Sequence, residues 1–211
     1  MRARGGGVRI GIVSDVHGNV AGLQTALDRM GPIDELLCAG DTVYQYRWSN
    51  ETVELLRERE ARVVLGNHDE IILGRDGERA RSMEHVREDL VEWLREQPYS
   101  IDVEAGGRRF LMAHSSPWGG WEYHYPHDPI WQRTETLEHD VVVTGHTHVP
   151  MAARFGDTLV INPGSVGEAR HPGNDYRLSC AVWDTAGDEV HFYEYEDPAR
   201  PSRVLSSGGA S

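Results

Sequence analysis

Five short stretches of this chain hold the side chains that could do chemistry, and each of them closes an apolar run. "IVSDVHGN" presents Asp15 and His17, "LLCAGD" presents Asp41, "VVLGNHD" presents Asn67, His68 and Asp69, "FLMAH" presents His114, and "VVVTGHTH" presents His146 and His148. Carboxylate and amide oxygen mixed with imidazole, and no thiolate, suit hard or borderline divalent cations. Manganese is the first choice, with Fe, Zn, Ni, Co or Mg as alternatives. Seven candidate ligands among these residues are too many for one tetrahedral zinc. They suit two ions sharing a bridging carboxylate, which in two-metal hydrolases stand ~3.5–4 Å apart.

Scattered residues of this kind converge only if the elements before them line up. "VRIGIV" at 8–13 reads as a buried strand, and "NVAGLQTALDRM" has the apolar spacing of a helix that Gly31-Pro32 stops. "ELLCAG" and "RVVLG" read as further strands. "SNETVELLRERE" is a helix between them, capped by Ser49 or Asn50, and a third helix is predicted over 83–95. From residue 100 the apolar runs turn short and consecutive: "SIDVEAGGRRFLMA", "DVVVTG", "MAARF", "DTLVIN", "LSCAVWD" and "EVHFYEY", with hairpin turns at Gly106-Gly107 and Ala186-Gly187-Asp188. A β-α-β-α-β first part followed by a mostly β second part predicts an α/β (α+β) fold. Two mixed sheets would pack face to face, with helices outside. In open α/β sheets ligand sites lie beyond the carboxyl ends of strands, where these residues sit. One domain over 1–203 and a flexible tail over 204–211 are expected.

The composition narrows the partners. Acidic residues outnumber basic ones by 34 to 21 in 211 residues, a formal net charge of -13, and the resulting field repels duplex nucleic acid and anionic membranes. A small phosphoester is the expected partner; oligomeric state stays open. Cys38 and Cys180 lie far apart in apolar strand-like surroundings, as buried free thiols suited to a reducing cytoplasm. The opening segment meets Arg9 and Asp15 too soon to be a signal peptide or a membrane span. His85, His124, His127, His139, His171 and His191 fit no ligand motif and read as surface or loop residues.

The order D-x-H, G-D, G-N-H-D, lone His, G-H-x-H, with "INPGSVG" beyond it, resembles the calcineurin-like metallophosphoesterase superfamily, and in particular its small prokaryotic phosphodiesterase branch. The resemblance implies a two-sheet sandwich flanked by helices. It implies Asp15, His17, Asp41 and His148 on one metal and Asp41, Asn67, His114 and His146 on the other. His68 would bind neither and would protonate the leaving oxygen, with Asp69 holding its imidazole. The two histidines of "GHTH" would reach different ions, and Gly145 just before them would permit a tight exit from the strand.

Formal charge bears on the substrate. Two divalent ions, two carboxylates and one bridging hydroxide leave about +1, which matches a phosphodiester monoanion. A monoester dianion would call for an added cation, usually Arg. Protein phosphatases of the superfamily place that Arg in G-D-x-V-D-R-G. The corresponding run here is "GDTVYQY", with Gln45 at that position and Arg47 off the pattern. The expected function is therefore metal-dependent phosphodiester hydrolysis. The alternatives are a phosphomonoesterase, a dinucleoside-polyphosphate or protein phosphatase, a nuclease, or a catalytically silent scaffold of the same fold. The aromatic stretch 115–133 follows a candidate ligand, so it either borders the cleft and stacks a base or aryl group, or packs as a loop.

Overall fold

The chain's fold, a computed structural model that describes residues 7–105 and 107–200, begins with two β-α units and a short third strand. These are β1 (Arg9–Val13), α1 (Val20–Met30), β2 (Glu35–Cys38), α2 (Asn50–Glu58) and β3 (Arg62–Val63). Three short helices follow: α3 (Asn67–Leu73), α4 (Glu78–Arg81) and α5 (Glu88–Arg95). Beyond α5 the regular elements are the strands β4 (Ser100–Ala105), β5 (Arg108–Ala113), β6 (Val141–Val143), β7 (Met151–Phe155), β8 (Thr158–Asn162), β9 (Leu178–Asp184) and β10 (Glu189–Tyr195), with 3-10 turns at Pro129–Thr136 and Pro172–Asn174 between them. They form two five-stranded sheets, ordered β10-β9-β1-β2-β3 and β4-β5-β6-β8-β7.

Both sheets are mixed, as the sequence predicts. β1, β2 and β3 are parallel, as are β5, β6 and β8, while hairpin partners run antiparallel at the margins. The two-residue alternation of each strand sorts its side chains between layers. Ile10, Ile12, Leu37, Ala181 and Trp183 of the first sheet meet Phe110, Met112, Val141, Val143 and Ile161 of the second in a continuous core. On the other face of the first sheet, Val13, Cys38, Cys180 and Val182 pack against Leu23, Leu27 and Met30 of α1 and Leu56 of α2. Both cysteines are free and buried, and burial pushes their thiols up to about 12, so neither is a reactive group. The outer face of the second sheet is covered by Trp131, on the 3-10 turn Pro129–Thr136, packed on Val142, Met151 and Val160.

Caps explain the helix boundaries. Asn19 accepts from the Gly22 N–H and Ser49 from the Thr52 N–H, and Gly31 closes α1 with φ 65°. The helix expected over 83–95 starts only at Glu88. Asn50 donates its amide to the His85 carbonyl and accepts the Arg87 N–H at 3.0 Å, tying that segment to the start of α2. α3 is not signalled by helical periodicity, and "RVVLG" yields only a two-residue strand. The expected tail 204–211 and the Gly106 half of the first hairpin turn lie outside the described residues. Among the described residues no helix is long and apolar enough to cross a membrane.

Candidate metal centre

Every candidate ligand leaves the carboxyl end of a strand. Asp15 and His17 follow β1, Asp41 follows β2, Asn67 opens the helix after β3, His114 follows β5, and His146 and His148 follow β6. These are the parallel strands of both sheets, so their ends meet on one rim of the sandwich. Asp15, His17 and His148 offer ligand atoms within 4.8 Å of one another, and so do Asp41, His114 and His146; a third such group is His17, Asp41 and His68. The first two groups fall within the two ligand sets that the resemblance implies, without Asp41 in the first and without Asn67 in the second. None of the other six histidines joins such a group among the described residues.

The individual distances show carboxylates set among imidazoles. His148 Nε2 lies 3.1 Å from Asp15 Oδ1, and His114 Nε2 lies 3.3 Å from Asp41 Oδ2. His17 Nε2 stands between them, 3.9 Å from Asp15 Oδ1 and 4.0 Å from Asp41 Oδ2. Each carboxylate divides its labour. Asp15 Oδ2 accepts the His146 N–H at 2.9 Å and Asp41 Oδ1 accepts the His68 N–H at 2.9 Å, leaving the other oxygen facing the centre. Three imidazoles divide theirs likewise. Against a backbone carbonyl lie His114 Nδ1 (Ala39, 2.6 Å), His146 Nε2 (Trp121, 2.9 Å) and His148 Nδ1 (Glu168, 2.8 Å), which fixes the ring and turns the opposite nitrogen inward. Asp15 Oδ1, Asn67 Oδ1 and His114 Nε2 are buried without a hydrogen-bond partner. Orphaned oxygen and nitrogen donors on the strand-end loops, with His114 Nε2 3.9 Å from Asp15 Oδ1, fit a divalent cation.

Electrostatics point the same way. Burial opposes charge on Asp15, but His148, His114 and His17 outweigh it and hold the carboxyl well below the usual range. Asp41 is likewise lowered: burial opposes charge there too, and His114 does most to overcome it. Burial works against a proton on His114 as well, yet Asp41 and Asp15 push its pKa up to about 10. Burial wins at His17, lowered to about 4 despite Asp41. Two anions that retain their charge, among imidazoles that are neutral or paired with them as ions, make a cation-ready centre.

Five of the candidate ligands, Asp15, His17, Asp41, His146 and His148, have positive φ between 49° and 67°. That region is sparse for L-residues, and Asp and His tolerate it better than most. Gly145 is not among the positive-φ glycines. Its smallness serves close packing instead, because a Cβ there would stand 1.8 Å from Ser14 Oγ and 2.7 Å from Asp15 Oδ2.

His68 lies beside the centre, with Nε2 3.9 Å from Asp41 Oδ2 and Nδ1 accepting the Gln45 N–H at 3.3 Å. The carboxylate of Asp69, expected to hold this imidazole, instead accepts the N–H groups of Thr42, Val43 and Gly66 at 3.0–3.1 Å. It clamps the Asp41 loop to the Asn67 loop, and the contact to the His68 ring comes from Gln45. Burial and then Asp41 push its pKa up to about 7. Tyr44 and Glu168 escaped the sequence reading, whereas Tyr123 belongs to the aromatic stretch read as bordering the cleft or packing as a loop. Tyr44 packs on His68 at 5.0 Å between centroids, Tyr123 stacks on His146 at 4.1 Å, and Glu168 Oε2 lies 3.8 Å from His17 Nε2. Tyr123 lies in the aromatic stretch 115–133, which splits its duties: Trp131 packs under the second sheet while Trp121 and Tyr123 border the centre.

A fold of two mixed sheets with paired ligand groups at the strand ends defines a class, and the family model for the calcineurin-like phosphoesterase superfamily domain matches residues 8–188. The chain belongs to that superfamily. It is 28% identical to an uncharacterized protein of Methanocaldococcus jannaschii, over 89% of this chain and 87% of that protein. It is 25% identical to serine/threonine-protein phosphatase 2 of Salmonella typhimurium, over 74% of this chain and 87% of that one. Among solved structures, a metallophosphoesterase from Sphaerobacter thermophilus superposes with a TM-score of 0.75 at 26% identity, covering 91% of this chain and 89% of that chain.

Proposed function

We propose that this chain is a metal-dependent phosphodiesterase acting on a small organic phosphodiester or nucleotide, with two divalent ions, manganese foremost. The observation that carries the reading is the pair of ligand groups, Asp15–His17–His148 and Asp41–His114–His146, facing each other around buried oxygen and nitrogen atoms that lack partners. Asp15, His17, Asp41 and His148 would hold one ion and Asp41, Asn67, His114 and His146 the other. When bound, the ions supply Lewis-acid charge to the phosphoryl oxygens and make a coordinated water nucleophilic at neutral pH.

The chain's own groups do the rest. Because the Gln45 N–H donates to His68 Nδ1, the hydrogen-bond network assigns the proton of the neutral ring to Nε2, the atom facing the centre. Burial lowers the His68 pKa despite the opposing pull of Asp41, so the neutral form is favoured. Its Nε2–H is placed to donate to the leaving oxygen or to a phosphoryl oxygen as charge develops there. Asp69 acts through the backbone, holding the loops of Asp41 and Asn67 in register.

Preference for diesters rests on charge. Gln45 stands where a protein phosphatase of the superfamily has Arg, and Arg47 donates to the His17 carbonyl at 3.2 Å. The likeness to the Salmonella phosphatase favours a monoester reading, and comparing the two ester classes decides between them. The test is metal content per chain together with turnover of bis-p-nitrophenyl phosphate and p-nitrophenyl phosphate, for wild type and Asp41→Asn. Diester turnover should exceed monoester turnover, and Asp41→Asn should lose metal and activity together. A fully active protein with no bound metal would sink the proposal.

A further inference from the structure

Three carboxylates, not two, surround the His17 imidazole. Glu168 Oε2 is 3.8 Å from His17 Nε2, as near as Asp15 Oδ1 at 3.9 Å and Asp41 Oδ2 at 4.0 Å. Unlike those two, Glu168 is partly exposed and comes from the loop beyond β8, where its backbone carbonyl also receives His148 Nδ1. Its carboxylate is already engaged. The guanidinium of Arg170 lies 2.6 Å from the same Oε2. Burial lowers the His68 pKa, Asp41 opposes this, and the Arg170 charge adds to it. Burial disfavours charge on Arg170 itself, while Glu168, Tyr123 and Asp15 favour it. The guanidinium is thus in electrostatic reach of Asp15 and His148 of the first ligand group and of His68 beside the centre. A cleft of about 390 Å³ runs past Glu168, lined also by His17, Tyr44 and Arg47.

On the reading that this is a phosphoesterase, we propose that Arg170 is the cation that binds the substrate phosphate, and that Glu168, by neutralising it, sets the preference for monoanionic diesters. The Glu168 carboxylate is itself the anion between His17 and the guanidinium, beside the place a phosphoryl oxygen takes when substrate enters. Arg suits this role through its planar fork of donors. With the pair intact, the filled centre keeps its formal charge of about +1, matched to a diester. Without the Glu168 charge it becomes about +2, matched to a dianion.

The experiment uses the full chain loaded with Mn²⁺. Binding of inorganic phosphate at mildly alkaline pH is measured by calorimetry for wild type, Arg170→Ala, Arg170→Lys and Glu168→Gln. The ratio of kcat/KM for p-nitrophenyl phosphate over bis-p-nitrophenyl phosphate is measured alongside. Arg170→Ala should weaken phosphate binding about tenfold or more, with Arg170→Lys intermediate. Glu168→Gln should tighten phosphate and raise the monoester-to-diester ratio by about tenfold. Phosphate affinity unchanged within about twofold in Arg170→Ala would overturn the proposal. So would loss of a metal ion in Glu168→Gln, which would make Glu168 a ligand. A loaded wild type that binds phosphate in this pattern but hydrolyses neither ester would instead defeat the phosphoesterase reading and leave the anion site standing.

Discussion

Metal loading should compete with a proton, and the competition can be sized. In the metal-free protein the His114 imidazolium lies 3.3 Å from Asp41 Oδ2, a distance at which its angle makes an ion pair but no hydrogen bond. Burial disfavours that proton, but Asp41 and Asp15 raise the pKa from 6.5 to about 10. A cation must expel it, since a metal binds the neutral ring. At neutral pH this costs about 4 kcal/mol, roughly a thousandfold in affinity, and the cost shrinks by about tenfold in affinity for each pH unit gained. His148, raised through Asp15 against the effect of burial, adds part of a second proton. His17, lowered by burial to about 4, and His146, also lowered by burial, contribute none.

Apparent Mn²⁺ affinity should therefore rise with pH and level off near 10, with about one to two protons released per chain. Calorimetry in paired buffers of different ionisation enthalpy measures the release. The metal-free protein should show the opposite slope. The His114 pKa is raised on folding, so its contribution to stability is complete below 6.5 and is lost as pH climbs through about 10. Thermal unfolding of chelated protein across that window should move downward. A metal affinity that stays flat over about two pH units would refute the reasoning, because the proton would then not reside where the cation binds.

Four further outcomes follow from the same geometry. His68→Ala should keep both ions and lose on the order of a hundredfold in kcat, more on poor leaving groups; shedding of metal would place His68 among the ligands. Gly145→Ala drives a Cβ to within 1.8 Å of Ser14 Oγ and should destabilise by about 1–3 kcal/mol in denaturant titration while lowering metal content. Asp69→Asn turns an amide nitrogen toward a backbone N–H and should lower stability by about 1–3 kcal/mol and weaken metal binding, whereas a purely His68-orienting role would change rate alone. In chelated protein the amides of His68 and His146, which donate to Asp41 and Asp15, should remain protected from hydrogen exchange; rapid exchange would mean that metal builds the site.

The sequence made the ligands legible because each follows a short β-branched or aliphatic run, and a polar side chain just past a buried strand has few roles. Val141 to Val143 before His146 is the clearest case. What stayed hidden comes from far along the chain. Asn162 donates to the Gly145 carbonyl at 2.7 Å and helps fix the histidine turn, yet in sequence it is only the end of an apolar run. Glu168 was visible within "NPGSVGE" but nothing local marks a carboxylate as facing His17, 151 residues away. The late start of α5 has the same origin, since Asn50 decides it across 37 residues. Asp69 shows the converse: its place beside His68 suggested a contact with the ring, and three backbone N–H groups won the carboxylate.

Strain and bonding explain how loops can hold a centre rigidly. Five ligand residues in the left-handed region cost of order 1–3 kcal/mol each, and such conformations persist only where the surroundings over-determine them. Here the strand-end loops are bonded to one another. Asp15 and His17 donate their N–H groups to the carbonyls of Gly40 and Asp41, Gly145 donates to His114, and Val166 donates to Ser14. Ser165 adds its hydroxyl to the Asp15 carbonyl at 2.8 Å. These contacts join loops from both sheets, so the sandwich core fixes their spacing. One oxygen of each aspartate and one nitrogen of three histidines serve that architecture, and the complementary atoms are left for chemistry. A substitution that keeps an inward ligating atom but loses the outward one, such as Asp41→Cys or His148→Met, removes the backbone contact that positions the ligand.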